Sequence, residues 1–100
     1  MNNKPRVLKA FEALDQEIQE QIKLAYPYGF KEHLIKFVNK DGEYQSGLPF
    51  ETEEKYYLVK MTASEARELI ADDDDYDDDG NLRDDVREEY EDRHDDDDEL

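Results

Sequence analysis

Apolar residues enter the chain in a helical rhythm. Leu14, Ile18, Ile22 and Ala25 recur at steps of four, four and three, which is one stripe of an α-helix, and Glu17, Gln19, Glu20 and Lys23 take its other side. Asp15 stands where an N-cap belongs. Pro27 cannot continue a helix and Gly29 frees the backbone for a turn, so the helix is predicted to end near Tyr26.

The period then changes from helix to strand. His33 to Lys40 and Glu43 to Phe50 read as a hairpin about Asp41-Gly42, a pair favoured in two-residue turns. With Lys40 opposite Glu43, Phe37 falls opposite Ser46 and Ile35 opposite Leu48, and Tyr44 joins the face of Phe37. Pro49 cannot donate to a ladder, so the second strand is expected to stop near Leu48. Lys55 to Met61 is apolar on both faces and reads as a third, most buried strand. Thr62-Ala63-Ser64-Glu65 is a capping box, opening a helix that buries Ala66, Leu69 and Ile70 and ends near Ala71.

These elements predict an α+β body over residues 11–71: an N-terminal helix, a three-stranded antiparallel meander and a C-terminal helix. Residues 1–10, with Lys4, Arg6 and Lys9 around Pro5, read as a flexible basic arm. Residues 72–100 read as an acidic tail. In it Leu82, Val86 and Tyr90 recur every four residues, enough for a marginal helix near 82–92, and residues 95–100 are expected to be disordered.

Charge sharpens that division. The 100 residues carry a net charge of −17, with 43% charged and 36% hydrophobic. Residues 1–62 hold nine Lys and Arg against ten acids; residues 63–100 hold four Arg against twenty. Residues 1–62 are thus nearly neutral, and residues 63–100 carry −16. There is no cysteine, which excludes disulfides, thiolate catalysis and cysteine-based zinc sites. No long apolar run follows Met1, so no secretory signal is expected, and no stretch nears the roughly 18 apolar residues of a membrane span. A cytoplasmic location is the expectation. A chain this acidic is repelled by free nucleic acid and by anionic membranes, so neither is expected as a direct partner.

Within the tail, Asp75-x-Asp77-x-Asp79-Gly80 fits positions 1, 3, 5 and 6 of an EF-hand calcium loop, and Leu82 fits the apolar position 8. Position 12 should be a bidentate Glu and is Val86, which limits any calcium affinity to roughly millimolar. The other reading of this segment is an acidic linker that attracts cations diffusely. Catalytic patterns are lacking. Ser46 and Ser64 have no activating partner nearby, Gly29, Gly42, Gly47 and Gly80 form no phosphate-cradling loop, and the paired carboxylates lie in a polar context. His33 reads as structural. His94 sits among acids and could make a metal contact with Asp92 or Asp95, though a lone histidine in a flexible tail is weak evidence for one. Aromatics such as Tyr44, Tyr56 and Tyr57, near Lys36, Lys55 and Lys60, read as packing more readily than as a stacking surface for single strands. No enzyme and no cofactor beyond weak calcium are expected.

The remaining expectation is a binding protein. Dense carboxylates imitate the charge of a nucleic-acid backbone toward a basic protein partner. Leu82, Val86 and Tyr90 would anchor that partner while Asp84, Asp85, Glu88 and Glu89 steer it. Finally, Ala25-Tyr26-Pro27-Tyr28-Gly29-Phe30, Leu48-Pro49-Phe50-Glu51-Thr52, Tyr57-Leu58-Val59-Lys60-Met61 and the aspartate-rich end resemble a group of small acidic bacterial proteins, some of which carry a DNA primase label. The likeness covers most of the chain and implies a fold more than an activity. No nucleotide or zinc motif accompanies the label, so the resemblance allows an accessory role near replication.

Overall fold

The computed structural model describes residues 4–94. Strand β1 (Arg6–Ala10) leads through a short 3-10 turn into α1 (Gln16–Ala25). A second such turn precedes β2 (Ile35–Val38), β3 (Tyr44–Glu51) and β4 (Tyr56–Lys60), and α2 (Ala63–Asp72) and α3 (Asp84–Arg93) follow. The class is α+β, but the sheet is not a three-stranded meander. It has four strands in the order β1-β4-β3-β2, with β1 parallel to β4 and the other pairs antiparallel.

The basic arm is therefore in part a strand. Arg6 aligns with Tyr56 and Ala10 with Lys60, which places β1 at the sheet edge. Its lysine and arginine suit an edge, where charge discourages pairing with another chain.

The hairpin also differs, by one residue of register. Ile35 aligns with Gly47 and Phe37 with Gln45, not with Leu48 and Ser46. Asn39 causes the shift. Its side-chain oxygen accepts from the amides of Asp41 and Glu43, both at 2.9 Å, while its own amide donates to Glu43 O and its carbonyl accepts from Gly42. The loop thus holds three residues, with Gly42 in the left-handed region at φ 82°.

β3 also runs past Pro49, to Glu51. Ser46 O accepts from Met61 N, so even-numbered residues of β3 turn their backbone groups toward β4. Pro49 then turns its missing amide toward β2, which has already ended. No ladder bond is lost there.

Alternation along the strands puts Leu48, Val59 and Met61 on one face, where they pack with Phe11, Leu14, Ile22, Phe30 and Ala66. Phe30, Ile22, Leu48 and Val59 are fully buried, each contributing on the order of 2 kcal/mol. α2 begins as its sequence specifies: Glu65 N donates to Thr62 Oγ1 at 3.1 Å and Thr62 N to Glu65 Oε1 at 2.9 Å. Among the described residues, no helix is long and apolar enough to cross a membrane.

Candidate functional site

The acidic segment does not hang free up to residue 94. Two residues of α1, read from the sequence as solvent-facing, hold it. Lys23 is buried, and its Nζ lies 2.6 Å from Asp73 and 2.8 Å from Asp75. Glu20 is only 3% exposed, and its carboxylate accepts from Arg93 at 2.5 Å and from Gln16 at 3.0 Å. His94 Nε2 lies 2.8 Å from its other oxygen. An ionised Glu20 can only accept, so that nitrogen carries the proton.

The electrostatics follow from these contacts. Burial alone raises the Glu20 carboxyl, but the hydrogen bonds of His94, Gln16 and Arg93 outweigh it and hold the group below the ordinary carboxylate range. Burial likewise raises Asp75, and its bonds with Lys23 and Tyr90 bring it below that range. Lys23 is lowered by burial and raised more strongly by Asp73 and Asp75. Burial, then the Asp75 contact, pushes the Tyr90 phenol well up.

Apolar contacts complete the attachment. Tyr76 is buried, meets Phe30 edge-on at 6.1 Å between ring centroids and donates its hydroxyl to Tyr26 O at 3.1 Å. Leu82 is buried as well, and its amide donates to Pro27 O at 2.6 Å. Val86 and Tyr90 are half-buried, and Tyr90 donates to Asp75. The stripe read as a set of partner anchors therefore serves the fold. α3 spans Asp84–Arg93 in place of 82–92, and its Asp84, Asp85, Glu88 and Glu89 remain exposed. Residues 95–100 lie outside the described residues, and with them the expected disorder and the Asp95 contact of His94.

The Asp75-x-Asp77-x-Asp79-Gly80 segment is built as a turn. Asp77 Oδ1 accepts from the amides of Asp79 and Asn81, both at 2.9 Å. Asp77 N donates to Asn81 O, and Gly80 N to Asp77 O. Gly80 has φ 84°. This repeats the Asn39–Glu43 loop bond for bond. Asp75 meanwhile turns to Lys23 and Tyr90. Among the described residues, no three His, Asp or Glu side chains form a group that could hold a metal ion.

Compared with known proteins, the chain matches no family model, no curated protein and no solved structure. Sequence reading missed Glu20 and Lys23 as anchors. The available signal was their i, i+3 spacing on α1, with matching acids at Asp73 and Asp75 and matching bases at Arg93 and His94.

Proposed function

We propose that this is a non-catalytic binding protein whose acidic unit, residues 72–94, engages a basic protein partner by imitating the charge of a nucleic-acid backbone. One observation carries the reading: thirteen acids stand against Arg83, Arg87 and Arg93 in this segment, on a scaffold packed against α1. A fixed array loses less entropy on association than a loose tail, so each charge–charge contact retains more of its value. Exposed Asp84, Asp85, Glu88 and Glu89 are the contact residues in this proposal, with Leu82, Val86 and Tyr90 fixing the helix that displays them. Asp84 and Asp85 also favour the positive end of their own helix.

The test is capture of interacting proteins by the whole chain and by an Asp84→Asn, Asp85→Asn, Glu88→Gln, Glu89→Gln variant whose circular dichroism matches the parent. A basic protein held by the parent, lost by the variant and displaced by duplex DNA supports the proposal. A partner retained by the variant, or one that duplex DNA does not displace, overturns it.

A further inference from the structure

The helices cover one face of the sheet only. The opposite face carries Leu8, Leu58, Pro49, Ile35 and Phe37 on adjoining strands. Leu8 is 49% exposed and Ile35 46%, although both are large apolar residues within strands. At the centre, Gly47 has no side chain, and Leu58 lies across it, 3.0 Å from where a Cβ would stand. The result is a shallow apolar groove that no described residue fills.

Its charge is opposite to that of the whole molecule. Arg6 and Lys60 project from the strands on this face and are exposed. Glu51 is the one acid the strands present there, and Lys4 binds it at 2.5 Å while its Nζ lies 5.0 Å over the Tyr56 ring. The hairpin loop adds Lys40 and Asp41 to the lining, one charge of each sign, so the face is apolar and Arg6 and Lys60 leave its rim net positive. The acidic unit packs on α1, in the helix layer on the other side of the sheet.

We infer that this face is a docking surface for an acidic amphipathic helix of a partner protein. A sheet face buries its apolar residues most readily against a helical stripe, and carboxylates flanking that stripe meet Arg6 and Lys60. A second copy fits poorly. It would bring two positive rims together, like charge against like. Nucleic acid brings far more negative charge than two cations can neutralise on a chain of −17.

The test uses a synthetic amphipathic peptide of about five helical turns, with leucines on one stripe and glutamates elsewhere, beside its lysine counterpart. The glutamate peptide is expected to bind and to shift amide resonances of β1 and β4. Binding should weaken about tenfold in an Arg6→Ser, Lys60→Ser variant and vanish in a Leu8→Glu, Ile35→Glu variant, whose changes fall on exposed positions. It should persist in the Asp84, Asp85, Glu88, Glu89 variant, which separates this surface from the acidic one. Failure of the glutamate peptide to bind, or equal binding by the lysine peptide, overturns the inference. So does preferential binding of single-stranded oligothymidine to this face. Concentration-dependent dimers in sedimentation that disappear in the Leu8→Glu, Ile35→Glu variant would instead assign the face to a second copy.

Discussion

One carboxylate oxygen of Asp75 accepts both from Tyr90, at 2.6 Å, and from Lys23, at 2.8 Å. The contact joins α1, the aspartate run and α3 at a single atom. Lys23 also meets Asp73, so it neutralises two carboxylates that would otherwise face each other under partial cover. Replacing it with an isostere of no charge should cost about 3 kcal/mol, the scale for breaking a buried ion pair from one side. Urea denaturation of Lys23→Met checks this, and a loss under 1 kcal/mol would mean the pair is solvated. Tyr90→Phe, which leaves the Lys23 contact in place, should cost about 1–2 kcal/mol.

Acid should release the acidic unit before it unfolds the sheet. Glu20 and Asp75 have folded pKa values held below those of the unfolded chain, about 4. Their contribution to stability is therefore complete above about pH 5 and is lost as pH falls through the depressed folded values. The opposite sign applies to Lys23 and Tyr90, raised in the fold: their contribution is complete below about pH 10 and is lost as pH rises beyond it. Tyr90 ring resonances should report the acid release while Val59 amide protection persists. Simultaneous loss of both would show a single cooperative unit.

The two glycine turns should respond alike. Gly42 and Gly80 have nearly equal positive φ, and an added Cβ would meet nothing closer than 3.9 Å at either. Gly42→Ala and Gly80→Ala should each cost about 1–2 kcal/mol from backbone strain alone. Gly47→Ala should cost more, because its Cβ would also lie 3.1 Å from the Val59 carbonyl. Thermal denaturation ranks the three, and a Gly47 variant that proves the mildest would contradict the packing.

Asparagine occupies in the first turn the position that Asp77 holds in the second. Asp77→Asn should then be nearly neutral, whereas Asp77→Ala should cost about 1 kcal/mol by leaving two amides without an acceptor. Calcium should produce only gradual, salt-sensitive shifts through the aspartate run. A saturable shift at Gly80 that resists salt and disappears in Asp77→Asn would restore a specific cation site.

Cutting the chain after Ala71 should leave a sheet of lower stability. The truncation removes Tyr76 from Phe30 and both partners from Lys23, and it uncovers Ile70. We expect a lowered melting temperature and a broadened amide spectrum. A truncated chain as stable as the parent would show that residues 72–94 are carried passively.

What the sequence disclosed was whatever is encoded locally. The Thr62–Glu65 box, the Ile18 and Ile22 stripe and the apolar β4 each depend on neighbours within a few positions. β1 was hidden because its partner lies about fifty positions away and its five residues hold only two large apolar side chains. The hairpin register turned on one hydrogen-bonding side chain, Asn39, that a turn dipeptide does not reveal. The attachment of the acidic unit is hidden from the sequence for a different reason. It is largely polar, made by Glu20 and Lys23, and residues of that kind are ordinarily assigned to solvent. The carboxylates of Asp84, Asp85, Glu88 and Glu89 stand exposed, as the sequence suggests, while Leu82 does not.

The parallel pairing of β1 with β4 also fixes an order of events during synthesis. β1 precedes the other described strands, yet it finds no neighbour until residue 60 has been added, because among the described residues β4 is the only strand it pairs with. The β2–β3 hairpin closes over a few residues and can form long before, at far smaller entropic loss. Until then Val7 and Leu8 have nothing to pair with, and their exposure is limited by flanking Arg6 and Lys9. The earliest of the described strands thus cannot join the sheet before the latest of them, β4, has been made.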